Sequence, residues 1–219
     1  MSAPTLHLEF VSDVSCPWCA IGLSALQRAM AELDGELQFT LRCQPFELNP
    51  DMPPGGEDLA EHLMRKYGST AAQLTQVRDT LRQRGADVGF EFGTGPRGRI
   101  YNTFNAHRLL HWAGVAHGDQ QLALKRALLR ACHRDGRAMD TTEVLLDCVG
   151  AAGLNESEAR DLLASDRYVD EVRLLEAFYA EAGIQAVPAV VVNQEHVIPG
   201  GQPVEVYVQA LREIAALDG

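Results

Sequence analysis

Basic charge is in short supply in this 219-residue chain: 19 Lys and Arg stand against 30 Asp and Glu, a formal net charge of −11. A chain of that sign repels nucleic acid and anionic membrane surfaces, so neither is an expected partner. Long apolar runs are missing as well. No stretch approaches the roughly 20 residues needed to span a bilayer, so no membrane segment is expected. The leading Met1-Ser2-Ala3-Pro4-Thr5 carries neither the basic residue nor the apolar stretch of a secretory leader, and the expected compartment is the cytoplasm. Cysteine is scarce and odd in number. Cys16, Cys19, Cys43, Cys132 and Cys148 cannot all pair into a disulfide framework. In a reducing compartment a close pair among them points instead to catalysis or metal binding.

What is present is patterned. Leu6, Leu8 and Phe10 alternate with His7 and Glu9, which predicts a half-buried strand. That strand runs straight into Asp13-Val14-Ser15-Cys16-Pro17-Trp18-Cys19. Ala25, Leu26, Ala29, Met30 and Leu33 then recur at helical spacing, with Pro17 suited to the first turn and Asp34-Gly35 ending the helix. Leu37, Phe39, Leu41 and Cys43 alternate as a second strand. After Pro45, Asn49-Pro50 and Pro53-Pro54-Gly55-Gly56 the pattern turns almost wholly helical. Helices are predicted from Asp58 to about Tyr67, from a Thr70–Gln73 capping box to Gly85, and from Asn102 to Ala113. Others follow from Asp119 to Arg134, Thr141 to Ala152, and Glu156 to Ala182 with a break near Ser165-Asp166. Asp140 and Asn155 are candidate caps. β structure returns at Ala189-Val190-Val191-Val192, turns at Asn193-Gln194-Glu195, and continues through His196-Val197-Ile198. A last helix runs from about Pro203 to Leu217. The fold class is therefore α/β, a thioredoxin fold with a large inserted all-helical domain. The expected division is residues 1–50 and 183–219 for the thioredoxin part and 51–182 for the mainly helical insertion.

The chemistry centres on Cys16 and Cys19. Thiol–disulfide exchange needs a thiolate, and a helix N-terminus offers unpaired backbone N–H groups and the positive end of the helix dipole. Cys16 is predicted to sit there, with a pKa brought down to roughly 3.5 to 7. Cys19, about one turn later, can reach back and release a mixed disulfide. Cys16 is the expected nucleophile and Cys19 the resolving thiol, with Pro17 and Trp18 between them. A Val187-Pro188 pair precedes the late strand. In a thioredoxin fold a proline there is cis and packs against the cysteine pair; otherwise it is an ordinary strand-entry proline.

Five stretches carry a resemblance. They are the 12–19 segment, Pro45-Phe46-Glu47-Leu48-Asn49-Pro50, Asn102-Thr103-Phe104-Asn105-Ala106-His107-Arg108-Leu109, the 183–188 segment, and Gly200-Gly201-Gln202-Pro203. Together and in this order they resemble the DsbA family of thiol oxidoreductases, in particular its FrnE-like subgroup. That subgroup is linked to 2-hydroxychromene-2-carboxylate isomerases and kappa-class glutathione transferases. The resemblance implies Cys16 and Cys19 as the redox pair, Pro188 as the cis-proline, Val187 beside it, and a groove role for Asn102 and His107. It leaves room for a homodimer. The isomerase and transferase relatives carry serine where this chain has Cys16, so having both cysteines favours a dithiol mechanism. The expected partners are protein or small-molecule thiols and disulfides. No bound cofactor and no metal is expected, and glutathione is a candidate co-substrate.

Two rival readings remain. One is a glutathione-dependent isomerase or transferase on the same fold. The other is a zinc-stabilised, non-enzymatic binding module, since Cys16, Cys19, His107 and His111 would formally make a Cys2His2 set. Cys43, Cys132 and Cys148 are expected to be buried and structural, the Cys132-His133 pair to be incidental, and Gly200-Gly201 to form a turn.

Overall fold

β1 (Thr5–Ser12) is the axis of the molecule. Leu6, Leu8 and Phe10 on its inner face are almost fully buried, as alternation requires. Each such burial contributes about 1.5–3 kcal/mol. The computed structural model describes residues 3–95 and 97–217; Met1 and Ser2 of the leading segment and Pro96 of the 93–98 loop lie outside the described residues.

β1 pairs in parallel with β2 (Gln38–Pro45) and antiparallel with β5 (Ala189–Val192), which pairs antiparallel with β6 (His196–Pro199). The strand order is β2-β1-β5-β6. Phe10 lies opposite Cys43 on one side and Val190 on the other. β5 is short and wholly buried, as its run of β-branched residues predicts. Between β1 and β2 the chain forms α1 (Pro17–Glu32), and α9 (Val204–Leu217) closes the fold against it. α1 is buried on most of its surface because Ala20, Gly22, Ala25 and Ala29 let its neighbours approach closely. Gly22 shows this best: a Cβ there would lie 2.9 Å from the Pro188 ring and 3.2 Å from the Gly201 backbone.

The insertion comprises β3 (Glu57–Asp58), α2 (Leu59–Tyr67), α3 (Ala71–Val88), β4 (Arg99–Ile100), α4 (Phe104–Ala116), α5 (Gln120–His133), α6 (Thr142–Ala151), α7 (Glu156–Leu163) and α8 (Val169–Glu181). The Thr70 capping box and the Asn155 cap form as expected. Besides its helices the insertion holds one short pair, β3 and β4, antiparallel where Gly56 brings its backbone against Ile100. Two local expectations fail. Gly85 does not end α3; the chain folds back so that Phe90 N–H bonds the Gly85 carbonyl and the Phe92 ring covers it, and only a glycine fits. The helix ends at Val88, with Gly89 in the left-handed conformation. Asp140 does not cap α6: its carboxylate accepts from Gly55 N–H instead, and Thr141 occupies the cap position.

The two parts share their interior. Phe90 and Leu129 of the insertion belong to the same apolar cluster as Phe10, Cys19 and Leu23. Conversely, Val14, two residues before Cys16, packs in the cluster formed by α4 to α7. The segment joining β1 to α1 is the seam between them.

Candidate active site

Asp13 organises that seam. It is buried, and its carboxylate accepts four hydrogen bonds: Ser15 N–H and Thr103 Oγ1 on Oδ1, and Ser15 Oγ and Leu48 N–H on Oδ2. These bonds join the cysteine loop, the 45–50 segment and the start of α4, three stretches far apart in sequence. His107 Nε2 stands 3.6 Å from Oδ1, at charge-interaction rather than hydrogen-bonding range. Burial alone would raise the Asp13 pKa, but His107 and the backbone donors outweigh it and hold the carboxyl well below its usual range.

Cys16 takes the N-cap position of α1 in an extended conformation, with Pro17 at the first helical residue. Its thiol is 3.6 Å from the Val187 carbonyl, to which it can donate. The Val187–Pro188 peptide bond is cis. Cys16 and Cys19 are both free thiols and both buried, Cys19 completely. Their titrations part company. The Cys19 thiol, followed by the backbone N–H groups of Cys19 and Trp18, lowers the Cys16 pKa against the opposing pull of burial and of the Asp13 charge. Burial and the Cys16 thiolate push Cys19 well up. The pair is therefore divided into a ready nucleophile and a thiol that keeps its proton.

The front of the site comes from the start of α1 and from the C-terminal segments. Pro17, Trp18 and Val187 are half-buried and Pro188 is buried. Pro188 O accepts from Gly200 N–H at 2.7 Å, and Tyr207, fully buried on α9, donates its hydroxyl to the Gly200 carbonyl. Gly200 makes the expected turn at φ 77°, while Gly201 lies against the Trp18 carbonyl, where a Cβ would sit at 3.1 Å. Tyr67, at the end of α2, has its hydroxyl pKa raised by partial burial and by the charge of Cys16, so α2 overlooks the site.

The back comes from the insertion. His133 is not incidental. Its Nε2 lies 2.9 Å from the Val14 carbonyl and its Nδ1 3.3 Å from Arg97 Nη1. The neutral tautomer with the proton on Nε2 satisfies both contacts. Burial first, then the Arg97 charge, pushes the His133 pKa down to about 3. Arg97 also donates to the Ser15 carbonyl at 3.4 Å and to Cys132 Sγ at 3.0 Å. Burial raises the pKa of Cys132 and takes those of Cys43 and Cys148 up to about 11, which suits packing thiols rather than nucleophiles.

Asn102 and His107 have different surroundings. Asn102 accepts from Phe104 N–H at the entry to α4, whereas His107 is buried between Asp13 and a cavity of about 280 Å³ lined also by Arg42, Cys43, His111 and Gln121. His111 lies against the Tyr168 ring at 5.0 Å. The four candidate zinc ligands are thus not assembled, and no group of three His, Cys, Asp or Glu side chains suited to a metal occurs among the described residues. The sequence pattern does not single out Asp13, Arg97 or His133.

Residues 7–212 match the family model described as the DSBA-like thioredoxin domain. A probable DsbA oxidoreductase from Streptomyces coelicolor is 32% identical and superposes with a TM-score of 0.85 over 95% of this chain and 89% of its own. A 2-hydroxychromene-2-carboxylate isomerase shares the fold at 14% identity, with a TM-score of 0.72 over 97% of each chain. The cytosolic disulfide reductase DsbM from Pseudomonas aeruginosa, in its structure with GSH, shares it at 18% identity, with a TM-score of 0.63 over 94% of this chain and 98% of its own. By its family match, its 32%-identical relative and its architecture, this chain belongs to the DsbA-like thioredoxin family.

Proposed function

We propose that the protein is a dithiol–disulfide oxidoreductase in which Cys16 attacks and Cys19 resolves. The observation that carries the reading is the asymmetry of the pair: one sulfur at the helix N-cap beside the Val187 carbonyl, the other sealed behind it. Cys16 thiolate attacks a disulfide R–S–S–R, forming a mixed disulfide and expelling one R–S⁻, which takes a proton. Cys19 then attacks the Cys16 sulfur, the bond to R breaks, and the proton of Cys19 ends on the second R–SH. One substrate disulfide is reduced and one enzyme disulfide forms, and the reverse sequence oxidises a dithiol. Which direction prevails depends on the potential of the couple against its surroundings, about 1.4 kcal/mol per 30 mV.

Protein or small-molecule disulfides fit this scheme, with glutathione as a co-substrate rather than a bound cofactor. Val187 and cis-Pro188 shape the docking surface, and Pro17 and Trp18 border it. The five free thiols support a cytoplasmic setting. The test is trapping. Cys19→Ser treated with glutathione disulfide should hold one glutathione on Cys16, seen by intact mass and peptide mapping. Cys16→Ser should hold none at position 19. A Cys19→Ser variant that forms no adduct, yet keeps a glutathione-dependent isomerase or transferase activity, would replace this reading with the non-redox one.

A further inference from the structure

Lys125 is 0% exposed, among the largest fully buried side chains, and its Nζ has no hydrogen-bond partner among the described residues. Withdrawing an ammonium from water without a partner is costly, and a residue kept at such a cost calls for a use. Its position suggests one. Gln121, one turn earlier on the same face of α5, holds Cys43 in β2 by both its N–H and its carbonyl, at 2.9 and 3.0 Å. Leu129, one turn later, packs in the cluster that contains Phe10 and Cys19. Lys125 therefore enters the core between β2 and the underside of α1. Its charge acts on Cys19, Cys43 and His133, favouring the thiolate at the first two.

The groups acting on Cys19 include Cys16 on its own helix, the Asp13 backbone N–H of the preceding loop, Tyr207 from α9, and Lys125 from α5. Lys125 is the cation in this set. In the reduced enzyme Cys19 donates to the Cys16 thiolate and keeps its proton. Once Cys16 is tied up in a mixed disulfide, that acceptor charge is gone, and burial alone opposes ionisation of Cys19.

We propose that Lys125 is the positioning residue of the second half-reaction, a buried cation that stabilises the Cys19 thiolate as it attacks the mixed disulfide. The step balances as written above: the Cys16–S–S–R bond breaks, the Cys16–Cys19 bond forms, the R sulfur is reduced and protonated, and Cys19 is oxidised. This inference rests on the dithiol reading, and the experiment separates the two.

Reduced wild type, Lys125→Met and Lys125→Gln are mixed with glutathione disulfide, quenched with acid at intervals and weighed intact, from pH 6 to 9. Wild type should pass through a short-lived glutathione adduct to the internal disulfide. Both variants should form the adduct at the wild-type rate but resolve it about tenfold more slowly at pH 7, equivalent to a shift of about one unit in the Cys19 pKa. Their resolution rate should keep climbing at pH values where the wild-type rate has levelled. Lys125→Met should also unfold at a higher denaturant concentration, because an unpartnered buried charge has been removed; a lysine kept for its packing would give the opposite change. If wild type resolves its adduct and the variants match its rate and pH profile, the role of Lys125 is refuted while the dithiol reading stands. If wild type never forms the internal disulfide, the dithiol reading is refuted and the role of Lys125 falls with it.

Discussion

The surface in front of Cys16 and the packing behind it are built from different stretches of chain. The front uses Trp18, Val187, Pro188 and the Gly200-Gly201 turn, all from the thioredoxin part, and presents sulfur, apolar rings and backbone carbonyls. The back uses Leu48, Arg97, Thr103, His107, Lys125 and His133. Apart from Leu48 these come from the insertion, and they surround the Asp13 carboxylate of the cysteine loop with donors and with the cations Arg97 and Lys125. The difference separates two tasks. Reacting atoms are placed by a short local motif, whereas the field those atoms feel is set by a helical body fastened to the loop just ahead of them.

The strongest way to break this division is at its fastening. Asp13→Asn leaves one acceptor oxygen where two accept four hydrogen bonds. It should cost about 3–5 kcal/mol, a large share of the roughly 5–15 kcal/mol that holds a domain folded. Urea denaturation at pH 7 reads this directly. Because the Asp13 charge raises the Cys16 pKa, the surviving folded variant should also titrate its nucleophile at lower pH, measured by the pH dependence of iodoacetamide alkylation. A loss below about 1 kcal/mol would show that the insertion is held in some other way.

A smaller effect sharpens the comparison from the other side. His133 is pushed down to about 3 when folded, well below its unfolded value near 6.5. The unfolded chain therefore binds a proton that the folded one refuses, and the His133 contribution to stability should fall as pH drops from about 6.5, by up to roughly 1.4 kcal/mol per unit. Glu47, whose carboxyl burial lifts to about 7, opposes it over the same range. Asp13, depressed in the fold, adds its own loss only below about pH 4. His133→Gln, whose amide can still reach the Val14 carbonyl, should therefore lose less stability than wild type between pH 6.5 and 4, while the loss below pH 4 persists. Denaturant midpoints across that range decide it; an unchanged upper slope would mean that His133 titrates normally.

The front was largely legible in the sequence because its signals are local. A strand ran into a cysteine pair with proline at the helix start, and a β-branched run followed Val187-Pro188. The helical caps at Thr70 and Asn155 were legible for the same reason, since donor and acceptor lie within three residues. The back was not. His133 meets Val14 across 119 positions and Arg97 meets Ser15 across 82. Periodicity shows which face of α5 is buried but not what it is buried against. Asp140 and Gly85 misled in the same way: each looked like a local helix signal, and each was committed to a distant or returning segment, Gly55 in one case and the Phe90–Phe92 stretch in the other.

The central claim is that Cys16 and Cys19 form one two-electron couple. Equilibrating wild type and Cys16→Ser across a series of glutathione redox ratios, with Trp18 fluorescence and the mass of alkylated thiols as readouts, tests it most directly. The account predicts a single two-electron transition in wild type, with Cys16 and Cys19 protected from alkylation together, and its disappearance in Cys16→Ser. A wild-type protein in which no ratio joins Cys16 to Cys19 would contradict it.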